Sequence, residues 1–254
     1  MKAVILCGGK GLRMSSGSDY ICKPLVKVGE MPLVWHIMNI YKKFGIKQFV
    51  LCLGYRGDAI KEYFMNMDWK NHTFRLKREN NAKDIEIFHP AEEWDIIFAD
   101  TGQETMTGGR IKKIQPFIDE DNFMLTYGDA VSDINLDDLL RFHQEKGKIA
   151  TVTGSRARSG YGIMKLQNDI AVDFQEKPIL EGWINAGFFV LNKKVFDYIS
   201  DDDRCVWEEE PLRRLVQDQE LAVYQHAGFW QSVDSVKDLQ AINELWNQNI
   251  RPWV

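Results

Sequence analysis

The sequence has 254 residues, with 32 Lys and Arg against 37 Asp and Glu (net charge −5), 44% hydrophobic, 12% aromatic and 27% charged. That composition can build one globular core and excludes a disordered chain, and it lacks the basic face with which a nucleic-acid binder neutralises phosphates. No apolar run approaches the roughly 18–20 residues that cross a bilayer, so neither nucleic acid nor membrane is an expected partner.

The predicted elements follow in chain order. Residues 2–7 are a short apolar strand ended by glycines, too short and too soon followed by Gly8, Gly9, Lys10 and Arg13 to be a signal peptide. Pro32 suits a first helical turn, and Leu33, Ile37, Ile40, Tyr41 and Phe44 recur at helical spacing until Gly45. Residues 48–53 read as a second buried strand, after which Asp58 caps a helix carrying Ile60, Phe64 and Met67. A third strand spans 122–127. Asn135 caps a helix with Leu136, Leu139, Leu140 and His143, which Gly147 closes before a strand at 149–153.

Beyond this, 161–166 and 170–174 form an antiparallel pair turning at Asn168-Asp169, and 184–191 is a further strand. A short helix near 195–199, a helix over 208–217 and strands at 221–225 and 229–233 precede a last helix. Ser235 and Asp238 open that helix as a capping box, with Val236, Leu239, Ile242 and Leu245 on one face. Strand and helix alternate in the first half. The expected fold is therefore α/β, a Rossmann-like, mostly parallel sheet sandwiched by helices with a smaller antiparallel extension. Cys7, Cys22, Cys52 and Cys205 show neither metal spacing nor a disulfide framework. They are expected to be packing residues in a reduced, cytoplasmic protein, and His36 and His143 to be structural.

In open α/β sheets ligands bind beyond the carboxyl ends of strands. The first such end reads Leu6-Cys7-Gly8-Gly9-Lys10-Gly11-Leu12-Arg13, followed by Lys23-Pro24. Glycines there let backbone N–H groups approach an anion without a Cβ in the way, and Lys10, Arg13 and Lys23 add positive charge. The alternative is a glycine turn with solvated bases. Gly-x-x-x-x-Gly-Lys-Ser/Thr is absent, and Met14 stands where the dinucleotide fingerprint wants its third small residue, so a nucleoside triphosphate is a better ligand than a nicotinamide cofactor.

The second end reads Tyr127-Gly128-Asp129. Asp129 is placed to hold Mg²⁺ against substrate phosphates, and Asp234, after strand 229–233, offers a second carboxylate; each reads equally well as a cap. In Gln175-Glu176-Lys177-Pro178 the proline forces Lys177 into an extended backbone. From there it can meet a phosphate while Glu176 accepts from hydroxyls; a surface turn is the alternative. Gly108-Gly109-Arg110 and Asn185-Ala186-Gly187 each allow backbone to touch a ligand edge.

In this order the segments resemble the sugar-1-phosphate nucleotidylyltransferases, and among them most the glucose-1-phosphate cytidylyltransferases. The resemblance rests on Leu6 to Met14, Lys23-Pro24-Leu25, Trp35-His36-Ile37-Met38, Gly54-Tyr55-Arg56-Gly57, Met106 to Arg110, Thr126 to Asp129 and Phe174 to Pro178. Asn185 to Leu191, Trp207-Glu208-x-Glu210-Pro211-Leu212 and Gly228-Phe229-Trp230-Gln231-x-x-Asp234 continue it. Residues 70–98 are not distinctive.

The resemblance implies a nucleotidyltransferase (GT-A-like) fold in a single domain over 1–254. Residues 1–155 would be the nucleotide-binding core and 156–254 the sugar-phosphate-binding and C-terminal portion. It implies Mg²⁺-dependent in-line attack joining CTP and α-D-glucose 1-phosphate to give CDP-glucose and pyrophosphate, in a homo-oligomer. UTP or another phosphorylated acceptor is the nearest alternative, and a non-catalytic nucleotide-binding subunit a more distant one. Leu6, Gly8, Gly9, Gly11, Arg13, Lys23, Thr107, Gly108, Gly109, Arg110 and Gly128 would take the nucleotide. Tyr127, Glu176, Lys177, Asn185 and Gly187 would take the sugar phosphate, and Asp129 and Asp234 the metal, with Arg13, Lys23, Asp129 and Lys177 catalytic. Leu12, Cys22, Ala130 and Ser232 depart from the family pattern, Ala130 placing a methyl near the acceptor.

Overall fold

Five consecutive buried residues, Lys2–Leu6, form β1, flanked on both sides by parallel neighbours in the main sheet. The computed structural model describes residues 1–9, 12–13, 20–79, 82–88 and 93–254, with the backbone alone at 12, 13, 20, 21, 69, 71, 79, 82 and 83. Two small antiparallel pairs follow β1: β2 (Leu12–Arg13) with β3 (Tyr20–Ile21), and β4 (Lys27–Val28) with β5 (Met31–Pro32). Pro32 caps α1 (Leu33–Lys42), whose buried stripe is the predicted one, and Gly45 takes φ 76° after it. Then come β6 (Gln48–Leu53), α2 (Gly57–Asn71), the paired β7 (Phe74–Glu79) and β8 (Ala82–Ile87), and β9 (Asp95–Asp100).

α3 (Thr107–Lys113) precedes β10 (Asn122–Tyr127) and β11 (Ala130–Ser132). Asn135 caps α4 (Leu136–Lys146) by accepting from Asp138 N, and Gly147 ends it at φ 61°. After β12 (Ala150–Ser155), β13 (Ile163–Gln167) and β14 (Ile170–Gln175) make a hairpin whose turn residues Asn168 and Asp169 both have positive φ, as a tight primed turn requires. β15 (Ile184–Asn192), α5 (Glu210–Gln217), β16 (Leu221–Gln225), β17 (Trp230–Ser232) and α6 (Val236–Asn247), opened by the Ser235/Asp238 capping box, complete the chain.

The main sheet has seven strands in the order β16-β12-β15-β10-β1-β6-β9. Pairing is parallel except at β15, which runs antiparallel between β10 and β12. The expected mostly parallel α/β sheet is thus present, with the second half of the chain stitched into its middle. Side chains alternate across it. Ala3, Ile5, Phe49 and Leu51 face a core closed by α1, α2, α4 and α6, while Val4, Leu6, Val50 and Cys52 face one closed by α3 and α5. Cys7, Cys22 and Cys52 are buried free thiols, and burial pushes the Cys52 thiol up to about 12. His36 and His143 bond to the Val28 carbonyl and the Thr151 hydroxyl inside the core.

Candidate active site

The carboxyl ends of β1 and β10 lie side by side, Leu6 opposite Tyr127. Gly128 N donates to the Leu6 carbonyl at 3.1 Å, and a Cβ on Gly128 would stand 2.8 Å from that same oxygen, so only glycine lets the strand ends close this tightly. They open into a cavity of about 480 Å³ walled by Leu6 to Gly9, Lys23, Pro24, Gln103 to Thr107, Arg110 and Tyr127 to Asp129. A Cβ on Gly9 would meet nothing within 4 Å. Among the described residues, no packing explains that glycine.

Asp234 reaches the same place from the far end of the chain. β11, just after Asp129, pairs with β17, just before Asp234, with Ala130 opposite Ser232 and Val233 N donating to the Asp129 carbonyl at 2.8 Å. The ribbon brings both acids to one point. There Lys23 Nζ donates to Asp234 Oδ1 at 2.7 Å and to Asp129 Oδ2 at 3.3 Å. The lysine begins a short 3-10 turn, Lys23–Leu25, with Pro24 in its second position. The two departures from the family pattern here are ribbon partners. Ala130 is buried, so its methyl does not wall the cavity, and Ser232 helps to lower the Asp234 carboxyl.

Burial raises the Asp129 carboxyl above its ordinary value, and neighbouring Asp234 adds to this, together outweighing Lys23. Asp234 moves the other way: burial would raise it, but Lys23 and Ser232 more than offset that and lower it. Burial would also lower Lys23, and the two carboxylates outweigh it, so the lysine is raised and stays an ammonium. Two hard carboxylates therefore converge on one positive centre. That is the donor set Mg²⁺ takes from a protein before phosphates and water complete its shell, and the residues fit the ion. Among the described residues no cluster of three or more His, Cys, Asp or Glu makes an all-protein cage.

Of the residues expected to take the nucleotide from this part of the chain, Thr107 and Arg110 reach the cavity wall. The Arg110 guanidinium is 4% exposed and donates inward: Nη1 to the Leu53 and Gly102 carbonyls and the Thr101 hydroxyl, Nη2 to the Gly8 and Gln103 carbonyls. It fixes three loops, and a Cβ on Gly8 would lie 2.2 Å from its Cζ. Gly108 and Gly109, expected at the base, stand behind the wall. A Cβ on Gly108 would meet Cys205 Sγ at 2.6 Å, and one on Gly109 the Asp202 carbonyl at 3.0 Å, so these glycines admit the 202–205 segment rather than a ligand. Gly11 and the Arg13 side chain lie outside the described residues; the Arg13 backbone is in β2.

Among the residues expected at the sugar phosphate, Tyr127 OH donates to Glu208 Oε1 and accepts from Asn185 Nδ2 at 3.1 Å, while Asn185 Oδ1 accepts from Gly187 N at 2.8 Å. Gly187 has φ 81°, and a Cβ there would be 2.4 Å from the Tyr127 ring. Glu176 and Lys177 are exposed, 3.9 Å apart, and outside the cavity wall. Lys177 is not extended: its φ of 48° is left-handed, which costs an L residue roughly 1–2 kcal/mol. The turn it makes lets the Pro178 carbonyl accept from Ser159 N, and Leu180 N donate to Ala157 O, both at 2.8 Å. Sequence reading matched the segment holding Glu208 without giving that residue a role. Its signal is an acid next to a fully buried tryptophan, Trp207.

Ser132, Asp133 and His226 also meet, but one nitrogen, Nε2, faces the serine hydroxyl at 3.2 Å, the carboxylate at 3.0 Å and the Phe229 carbonyl at 3.2 Å. A proton relay needs both ring nitrogens, so this is a brace for the ribbon.

A family model described as nucleotidyl transferase matches residues 2–249. The chain belongs to the nucleotidyl transferase family. Within it, the chain is 46% identical over 253 residues to the probable glucose-1-phosphate cytidylyltransferase of Bacillus subtilis (strain 168), covering 100% of this chain and 99% of that one. It is 42% identical to the glucose-1-phosphate cytidylyltransferase of Salmonella typhi, over 100% and 98%. The crystal structure of HddC from Yersinia pseudotuberculosis matches with a TM-score of 0.68 at 20% identity, over 96% of this nucleotidyl transferase and 99% of that chain, a likeness of fold.

Proposed function

We propose that the protein transfers a cytidylyl group from CTP to α-D-glucose 1-phosphate, giving CDP-glucose and pyrophosphate. The observation that carries this reading is the Asp129–Lys23–Asp234 cluster at the mouth of a cavity walled by the glycine turn; the names of the relatives at 46% and 42% identity supply the two substrates. The nucleotide lies against Leu6, Gly8, Gly9 and Gly128 with its base toward Thr107, and the sugar phosphate lies against Tyr127, Asn185 and Gly187. Glu176 takes a sugar hydroxyl and Lys177 the sugar's phosphate.

A phosphate oxygen of the sugar attacks the α-phosphorus of the nucleotide in line, and pyrophosphate leaves. The attacking monoester, with a second pKa near ~6, is largely dianionic at neutral pH and needs no general base. What the chain must do is bring two anions together and hold positive charge where the leaving group develops. Lys23, with its raised pKa, supplies a permanent cation, and Arg13 a second. Asp129 and Asp234 would hold Mg²⁺, which when bound adds charge stabilisation at the transferring phosphate.

Assembly and location complete the reading. Met164, Leu166, Val172 and Phe174 are exposed on the β13–β14 hairpin, an apolar face of the kind that another copy covers. No helix among the described residues is long and apolar enough to cross a membrane, and a cytoplasmic site of action is proposed. Pyrophosphate release over a matrix of CTP, UTP, dTTP and GTP against glucose 1-phosphate and other sugar phosphates tests the function. CTP with glucose 1-phosphate is expected to lead by about tenfold or more, a margin worth ~1.4 kcal/mol. Faster turnover of another pair overturns the assignment.

A further inference from the structure

Glu208 joins the two sides of the cavity. Its Oε2 accepts from the Thr107 hydroxyl at 2.7 Å, Thr107 Oγ1 itself accepting from Trp207 N at 2.9 Å, and its Oε1 accepts from Tyr127 OH. Thr107 begins α3 and Tyr127 ends β10, so one carboxylate ties a helix start to a strand end across the opening. The segment that carries it is fixed against α3 by Met106 N donating to the Asp203 carbonyl at 2.7 Å and Gly109 N to the Cys205 carbonyl at 3.1 Å. The neighbouring Trp207 is fully buried.

The direction of these bonds matters more than their number. A carboxylate only accepts, so it takes the Tyr127 proton and leaves the phenolic oxygen as an acceptor. Asn185 Nδ2 spends one hydrogen on that oxygen, while Asn185 Oδ1 is occupied by Gly187 N. Facing the sugar side, the relay therefore presents one acceptor, Tyr127 Oη, and one donor, the second hydrogen of Asn185 Nδ2. Burial and the Glu208 charge hold the Tyr127 hydroxyl well above its ordinary pKa, so it remains protonated.

We propose that Glu208 is a positioning residue that sets this polarity, so that Tyr127 and Asn185 together receive a sugar hydroxyl, which donates to the first and accepts from the second. The inference rests on the function proposed above and extends it to a residue that need not touch the substrate. Glu208→Gln places an amide N–H₂ against one of the two hydroxyls and scrambles the polarity while keeping size and shape. Glu208→Ala removes the tie.

The test is a double-mutant cycle of Glu208→Gln with Tyr127→Phe. It reads KM for the sugar phosphate, KM for the nucleotide and the melting temperature, with calorimetric binding of glucose 1-phosphate as a readout that needs no turnover. Misplacing the two neutral hydrogen bonds offered to the sugar hydroxyl is expected to raise the sugar-phosphate KM about tenfold. The nucleotide KM should stay within about twofold for Tyr127→Phe, which leaves the Thr107–Glu208 bond in place, and Glu208→Gln should add little to the sugar-phosphate KM once Tyr127 is phenylalanine. Independent, multiplying effects of the two substitutions, equal changes in both KM values, or a KM change that tracks the melting temperature overturn the proposal. A wild-type protein that binds glucose 1-phosphate but transfers no nucleotide refutes the function alone, since the binding cycle still reports on Glu208. One that binds no sugar phosphate refutes both.

Discussion

Replacing Lys23 by alanine leaves two carboxylates facing each other with nothing between them. Both oxygens lie within 2.7 and 3.3 Å of one nitrogen, so they are at most about 6 Å apart, and at an effective dielectric of ~20 they repel by roughly 3 kcal/mol. The Asp234 side chain is 58% exposed, and solvent screening reduces that to about 1–2 kcal/mol. For a chain of this size the expected fall in melting temperature is about 2–8 °C. Turnover, by contrast, should fall by about 100-fold or more, the usual cost of removing one preorganised charge from a transition state. A second measurement separates the two roles: thermal melts with and without MgCl₂. The variant presents two unneutralised carboxylates, so Mg²⁺ should raise its melting temperature more than that of the parent. Turnover near the parent's, or an equal Mg²⁺ effect on both proteins, refutes the electrostatic account.

The two acids should respond to neutralisation in opposite directions. The Asp129 pKa is raised in the folded protein, so its stabilising contribution is present below the unfolded value near 3.8 and is lost as pH rises through the folded one. Asp129→Asn should raise the melting temperature at neutral pH while abolishing turnover. The Asp234 pKa is lowered, so its contribution is present above about 3.8 and is lost as pH falls through the lowered value; Asp234→Asn should lower the melting temperature. Melts from acid to neutral pH check both. Arg110→Ala strands the Gly8, Gly102 and Gln103 carbonyls, while Leu53 O keeps Thr101 as its donor, which should cost about 3 kcal/mol, or roughly 6–12 °C. Gly9→Ala, facing open space, should leave the melting temperature unchanged within about 1 °C and raise the nucleotide KM.

Much of the framework was legible because its chemistry is local. β1, β6 and β10 are mostly apolar runs, Asn135 and the Ser235/Asp238 pair cap helices where expected, and Gly147 ends α4 in the left-handed region. β7 and β8 were missed although Phe74, Leu76, Ile85 and Ile87 share one face, because intervening charges and the exposure of both strands weaken the pattern. α3 begins Thr-Gly-Gly, which reads as a loop. It is helical because its glycines let the 202–205 segment dock. The direction of β15 is not a local property, since a buried strand has the same pattern either way.

At the site, Lys23, Asp129 and Asp234 are identifiable from the sequence as residue types, whereas their shared contact depends on the pairing of β11 with β17 across 97 intervening residues or more. The left-handed backbone of Lys177 is not legible in the sequence, because the proline after it argues only against right-handed helix. The role of Glu208 is not legible because its partners, Thr107 and Tyr127, are neutral and distant in sequence.

The placement of β15 also has a bearing on how the molecule is made. A ribosome adds roughly 5–20 residues per second, and until residues 184–192 have emerged, β10 lacks its neighbour on one side and β12 has nothing to join. A newborn chain halted at residue 155 is thus a half-sheet with a raw hydrogen-bonding edge, not a smaller working unit. Asp129 is synthesised roughly 5–20 s before Asp234, and in that interval the first carboxylate has no companion. Competence arrives late in translation, when β17 zips onto β11.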